Sequence, residues 1–189
     1  MIDFGVWSAA EAREYCEQYS LAVPIRAEWL SSEVEASGGD PAWCRDAGGL
    51  DPLWQWFAGR LRSEGPTGVR RRVELPAGDP QPGARPPWHS PDQPNPYLAD
   101  DALWLIDALG CHLGVLAALC HPEAEWKVDR PSNRKDINFN RTRLFGVPGG
   151  PSDPAQMVYG ATIRTVIHDQ PWKPGELSRL YHYLVDPLD

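Results

Sequence analysis

Apolar residues surround every side of one stretch near the middle of the chain, from Ala102 to Cys120. A helix that is apolar all round is typical of an element enclosed by others. The stretch is also long enough to cross a bilayer. However, Asp107 and His112 lie inside it, and a carboxylate at the centre of a membrane costs about 2.5–3.5 kcal/mol. We therefore predict a buried central helix at about 100–121 and no membrane span.

The N-terminal part of the chain has the patterns of amphipathic helices. Ser8 and Glu11 have the spacing of a capping box, which predicts a helix from there to about Tyr19. Pro24 is expected to end this segment, because proline interrupts the hydrogen bonding of a helix. A separate second helix is predicted for Ile25–Ala36.

A third helix is predicted after Asp51, with Asp51 as its N-cap and Pro52 at its first helical position. Trp54 and Trp56 on this helix favour core anchors over a ligand platform, since aromatic side chains of this size are mostly buried. In the central helix, Gly110 and the glycine four residues later lie on one face. Their spacing predicts that another helix or strand approaches closely there.

Two short segments after the central helix, 125–129 and 143–147, have the residue types of paired antiparallel strands. The segment 155–168 is rich in β-branched residues, which favours a strand, but its cap and length favour a helix, and we predict a helix. A closing helix is predicted for 175–185. The expected fold class is α+β, a mostly helical single domain over 1–189 around the central helix, with a small antiparallel sheet.

A long Pro- and Gly-rich loop is predicted at about 64–96, where nine prolines and four glycines occur and only Val69–Leu75 could form a strand. Within this loop, Trp88 and His89 stand out as an aromatic side chain beside a titratable one. We expect Trp88 to pin the loop to the body of the domain. Both residues are kept as candidates for a ligand or partner site, because loop residues often carry function.

The chain has 26 acidic and 18 basic side chains, a net charge of −8 and a pI near 5.1. This balance excludes a typical nucleic-acid-binding protein, which needs a basic face, and it suits a basic protein partner. No basic and apolar leader is visible at the first residues, so a cytoplasmic location is expected. The four cysteines lack the spacing of a disulfide framework and are expected to be free thiols.

Two patterns that suggest metal binding fail on geometry. Cys111, His112, Cys120 and His121 cannot meet at one zinc ion, because nine helical residues separate the two pairs by about 12–14 Å along the axis. The segment starting at Asp136 lacks the glycine and glutamate of a calcium loop. No catalytic residue, metal site or cofactor is predicted. Asp107 is expected to meet an arginine such as Arg13 or Arg164, or to face water.

The densest polar patch of the sequence contains Lys135, Asp136, Asn138 and Asn140. As a strand edge, this segment would place the three short polar side chains on one face. The patch could bind a ligand or partner, or it could cap local turns. We favour capping, because Asp and Asn in loops commonly bond to nearby backbone.

Three motifs resemble an uncharacterised actinobacterial protein family: the Leu-Asp-x-Leu-Trp-x-Trp pattern at 50–56, the Asp-x-Leu-Gly-x-x-x-Gly pattern at 107–114, and the polar run at 135–140. The similarity spans about Ser8 to Val185. The chain departs from the family at Thr142, where members often carry proline. The resemblance implies an α+β domain and transfers no activity.

Two functions follow as hypotheses. The first is a non-catalytic cytosolic protein-binding module that docks a basic partner, of which an immunity protein that neutralises a toxin is one form. The alternative is a small-molecule-binding protein or an enzyme that uses the polar patch around Lys135–Asn140.

Overall fold

The computed structural model describes residues 4–64, 70–75, 86, 94–168 and 171–186. The described part contains five α-helices, three short 3-10 helices and two small sheets, and the α+β, mostly helical fold expected from the sequence is confirmed. In chain order the elements are α1 Ala9–Ala36, α2 Leu50–Arg60, β1 Arg62–Glu64, β2 Arg70–Arg72, α3 Asp100–Cys120, β3 Glu125–Val128, β4 Thr142–Phe145, α4 Pro154–His168 and α5 Glu176–Val185.

The central helix of the sequence prediction is α3, and it is enclosed by its neighbours. Its most extensive contacts are with α1 and α4, and α5 and β2 touch it as well. The helix is long and apolar enough to cross a membrane, with a mean hydropathy of 1.9, but 78% of that window is buried inside the protein. Burial within the fold therefore accounts for its apolar composition.

The two glycines of α3 mark close approaches, as their spacing predicts. A Cβ atom built on Gly110 would lie 2.2 Å from the Cα atom of Ala155 at the start of α4. A Cβ atom on Gly114 would lie 2.8 Å from the ring of Trp126 in β3. A side chain at either position would displace its neighbour, so the glycines allow α4 and β3 to pack directly on α3.

The first helix differs from the prediction. The capping box of Ser8 and Glu11 is present, but α1 continues without a break through Pro24 to Ala36. Pro24 is exposed, so its missing N–H leaves the carbonyl of Ser20 on the solvent side of the helix, where water can bond to it. One long helix therefore stands where two were expected.

Asp51 is not an N-cap, because α2 begins one residue earlier and its N-cap is Gly49. The carboxylate of Asp51 instead accepts a hydrogen bond from the hydroxyl of Ser178 and thus links α2 to α5. Trp54 is buried in the main core as predicted, beside Leu53 and Phe57, whereas Trp56 is only partly buried against that core.

The predicted strand pair is confirmed: β3 and β4 are antiparallel, with Trp126 opposite Leu144. A second antiparallel pair, β1 with β2, was not predicted. Beyond it, Arg71 bonds through its backbone to Tyr97 and Ala99, which ties β2 to the start of α3. Much of the predicted long loop at 64–96, including Trp88 and His89, lies outside the described residues.

Candidate functional site

The predicted polar patch forms a series of turns and not a strand edge. The Oδ1 atom of Asp136 accepts a hydrogen bond of 2.8 Å from the backbone N–H of Asn138. In the same way, Oδ1 of Asn133 accepts one of 3.0 Å from the N–H of Lys135. These bonds make Asx turns, the local role that the sequence favours. Ile137, between the two polar residues, is 75% exposed.

Asn140 differs from the other residues of the patch because its side chain is buried. It is 2% exposed and has a φ of 63°, in the left-handed region that asparagine tolerates better than most residues. Its Nδ2 atom donates hydrogen bonds to the carbonyls of Trp7, at 2.9 Å, and Phe4, at 3.3 Å. Asn140 therefore fastens the N-terminal segment to the β3–β4 connection, while the backbone of Lys135 lies in an exposed turn.

A buried ion pair links α1 to α3. The Nη1 atom of Arg26 lies 2.7 Å from Oδ2 of Asp107, and both side chains are fully buried. The hydroxyl of Tyr19 donates to Oδ1 of Asp107 at 3.0 Å, and the Arg26 guanidinium lies 4.9 Å from the ring centre of Trp104. Burial opposes the charge on Arg26, but the carboxylate of Asp107 raises its pKa, so the guanidinium stays protonated.

Among the residues that the structure describes, both side chains of this pair are closed off from solvent. Burial also raises the pKa of the Cys111 thiol, whose sulfur lies 3.8 Å from Oδ2 of Asp107. A thiol held protonated in this way is a poor nucleophile. We infer a structural role for the cluster of Tyr19, Arg26, Asp107 and Cys111.

The two Cys–His pairs that suggested a metal site in the sequence contact different parts of the protein. Cys111 faces Tyr19, whereas Sγ of Cys120 lies 3.1 Å from the hydroxyl of Tyr181. His112 is buried, and Nε2 of His121 lies 3.0 Å from the carbonyl of Val185. Within the described ranges no three His, Cys, Asp or Glu side chains are placed to hold a metal ion. All four cysteines of the chain are free thiols.

The most distinctive exposed surface runs along α1 on the side away from α3. Leu21 is 73% exposed and Ile25 is 49% exposed, and they lie one helical turn apart with exposed Pro24 beside them. Residues in front of and behind this apolar pair continue the same side of the helix. We call this surface the outer face of α1, and it consists of Glu14, Glu17, Gln18, Leu21, Pro24, Ile25, Glu28, Ser32 and Glu35.

The outer face of α1 carries four carboxylates and no basic side chain. Glu14 accepts a hydrogen bond from Gln18, at 3.3 Å. In the part of the chain that the structure describes, none of Glu17, Glu28 and Glu35 takes part in an ion pair. The outer face therefore has an apolar centre and an acidic rim. No ion pair within the described residues neutralises the charges of Glu17, Glu28 and Glu35.

The sequence has a pattern that predicts this surface, but the expected helix break at Pro24 divided that pattern between two helices. Glu14, Leu21, Glu28 and Glu35 recur at every seventh residue, which places them on one side of a continuous helix. Two helices separated at Pro24 would have had independent orientations. In that interpretation Ile25 was only the first residue of the second helix, whereas in the structure it is exposed beside Leu21 on one continuous helix.

Comparison with known proteins does not identify a family for this chain. No family model, curated protein or solved structure matches the chain. The resemblance drawn from the three sequence motifs therefore stays a prediction, and function is argued from the surfaces of this molecule.

Proposed function

We propose that the protein is a non-catalytic, cytosolic binding module that docks a basic protein partner on the outer face of α1. One observation carries the proposal: Leu21 and Ile25 are exposed as an apolar pair inside a rim of carboxylates. Scattered exposed apolar residues are ordinary on protein surfaces, whereas an apolar patch with a polar rim is typical of an interaction site.

The energetics of such a surface suit a partner with an apolar ridge flanked by Lys or Arg. Full burial of a Leu or Ile side chain is worth about 1.5–3 kcal/mol, so the centre can supply affinity. Charges on the rim mainly raise the rate of association with a partner of opposite sign. The net charge of −8 acts in the same direction. An immunity protein that neutralises a basic toxin is one concrete form of this arrangement.

The alternative function, a ligand site at Lys135, Asp136, Asn138 and Asn140, has less support. The Asp136 carboxylate is engaged in a turn and the Asn140 amide in holding the N-terminal segment. Trp88 and His89, the other candidates, lie outside the described residues. We therefore place the binding function on α1.

The test is affinity capture from the native lysate with four forms of the tagged protein. They are the wild type, a Leu21→Ala/Ile25→Ala double variant, a Glu14→Gln/Glu17→Gln/Glu28→Gln triple variant, and a Leu119→Ala control. Leu119 is as exposed as Leu21, at 73%, but lies near the end of α3. Alanine keeps the helix propensity at each of the apolar positions.

We expect the wild type and the Leu119→Ala control to retain one basic protein in stoichiometric amount. The apolar double variant should lose it, and the triple variant should bind it more weakly and with less dependence on salt. The proposal is overturned if no protein is retained stoichiometrically, if the retained protein is acidic, or if the outer-face variants retain it as well as the control does.

A further inference from the structure

A basic pocket lies on a different part of the surface, between α4 and α5. Its volume is about 260 Å³, and we call it the α4–α5 pocket. The residues that line it are Trp54, Ala161, Arg164, Thr165, Pro171, Lys173, Glu176 and Arg179. Three of these side chains are cationic and one is a carboxylate, so the described lining has a net charge of +2 in a protein whose total charge is −8.

Glu176 holds the two arginines in place. Its Oε1 atom lies 2.7 Å from Nη2 of Arg179 and 3.1 Å from Nη2 of Arg164, and its Oε2 atom lies 3.0 Å from Nε of Arg179. These hydrogen bonds, first of all those from Arg179, lower the pKa of Glu176, so its carboxylate is charged at neutral pH. One buried carboxylate thus orients two guanidinium groups from two helices.

Both arginines keep donors for a ligand. A guanidinium has five N–H donors in a planar fork, and Glu176 uses only some of them on each arginine. The side chains of Arg164 and Arg179 are 54% and 59% exposed, whereas that of Glu176 is 10% exposed. Lys173 is exposed and forms no ion pair with any residue that the structure describes. An incoming anion would therefore meet three cations, two of them already positioned.

A second cavity, of about 320 Å³, shares Trp54 and Lys173 with the α4–α5 pocket. Its other lining residues are Gln55, Ala58, Gly59, Trp172 and Pro174, and the wall is therefore mainly aromatic and aliphatic. The rings of Trp54 and Trp172 meet edge to face, with centres 4.7 Å apart. Ligand sites commonly combine an apolar wall with a few convergent polar groups.

We propose that these adjoining cavities bind a small organic oxyanion. Its carboxylate or phosphate is held by Arg164, Lys173 and Arg179, and its planar apolar body packs against Trp172 in the second cavity. Guanidinium forks match the geometry of both oxyanions. The proposal is independent of the outer face of α1 and would stand if the basic partner were not found.

The test uses four defined probes: indole-3-propionate, phenyl phosphate, inorganic phosphate and the uncharged indole-3-propionamide. Binding is measured by calorimetry and by protein NMR, in which the indole N–H signals of Trp54 and Trp172 report on the cavities. Lys173→Gln removes one cation without touching Glu176. Lys127→Gln is the control, because Lys127 occupies an exposed position of β3, away from both cavities, although it pairs there with Glu125.

We expect saturable binding of an aryl anion with shifts of the Trp54 and Trp172 indole signals, about tenfold tighter than binding of the neutral amide. Tighter binding of indole-3-propionate would favour a carboxylate on an indole-sized body, and tighter binding of phenyl phosphate would favour a phosphate on a smaller ring. Lys173→Gln should weaken binding about fivefold, and Lys127→Gln should leave it unchanged. Absence of saturation by all four probes up to about 10 mM, equal binding of the neutral amide, or no effect of Lys173→Gln would overturn the proposal.

Discussion

The guanidinium of Arg26 and the carboxylate of Asp107 form a fully buried ion pair between residues 81 positions apart. Taking two charges out of water is costly, and their attraction offsets that cost only with good geometry and further hydrogen bonds. The hydroxyl of Tyr19 supplies one such bond. The pair therefore depends on the presence of both partners.

We expect Arg26→Met or Asp107→Leu alone to lower the free energy of unfolding by about 3–5 kcal/mol, because each leaves a buried charge without its partner. The double variant should recover most of the loss. Urea unfolding followed by circular dichroism measures all three. Additive losses in the double variant would show that the two charges do not interact strongly.

The contact of Gly110 with α4 can be tested with one methyl group. Gly110→Ala should destabilise the protein by about 1–3 kcal/mol, since the new Cβ atom would lie 2.2 Å from the Cα atom of Ala155. Gly160→Ala in α4 is the control, because no atom lies within 4 Å of a Cβ atom there. That change should stabilise the helix by about 1 kcal/mol. Equal melting temperatures for the two variants would contradict the close approach.

His112 should make the protein sensitive to acid. Burial lowers its pKa from 6.5 to about 4. Between these values His112 binds more protons in the unfolded chain than in the folded protein, so the contribution of His112 to the free energy of unfolding falls as the pH falls from about 6.5 to about 4. The loss from this group is about 3 kcal/mol at most.

The measurement is urea unfolding at several pH values for the wild type, His112→Gln and His182→Gln. The slope of stability against pH should be smaller for His112→Gln than for the wild type. His182→Gln is the control for replacing a histidine at the surface, since the side chain of His182 is 63% exposed. A wild-type slope in His112→Gln would mean that this histidine is hydrated in the folded protein.

Pro24→Ala should increase stability by about 2 kcal/mol. Proline within a helix is less favourable than alanine by about 3 kcal/mol, and proline recovers part of that difference by restricting the unfolded chain. Thermal unfolding of the variant measures the balance. A destabilised variant would show that a bend at Pro24 is needed for α1 to follow α3.

Most of the fold could be predicted from the sequence because the spacing of apolar residues indicates which segments are buried and on which side. The apolar run of α3, its two glycines, and the alternation around Trp126 each predicted the element and the packing that the structure shows. The prediction of a helix end at Pro24 was wrong because the missing N–H lies on the solvent side of α1, where water can bond to the freed carbonyl of Ser20, and the packing of the rest of the helix outweighs the cost of the proline. The N-cap prediction for Asp51 was wrong because its carboxylate instead accepts a hydrogen bond from the hydroxyl of Ser178, which lies 127 residues away in the sequence.

The sites were harder to predict because they depend on which distant residues meet. Asp107 was expected to meet an arginine, but its partner is Arg26, and the sequence offered no way to prefer it over Arg13 or Arg164. Arg164 instead joins Arg179 on Glu176. Three basic residues spread over 16 positions give no local pattern in an acidic chain, so the α4–α5 pocket becomes visible only in three dimensions.

The enclosure of α3 also determines which backbone amides exchange most slowly with solvent. Backbone amides exchange with solvent deuterium only when their hydrogen bonds open, and those of an enclosed helix open only when its neighbours separate. The stretch from Leu103 to Leu113 is buried at every position. Its amides should therefore be among the last to exchange, whereas amides at the first turn of α1 can exchange by local fraying. Deuterium uptake along α3 would then measure global unfolding under native conditions, without denaturant.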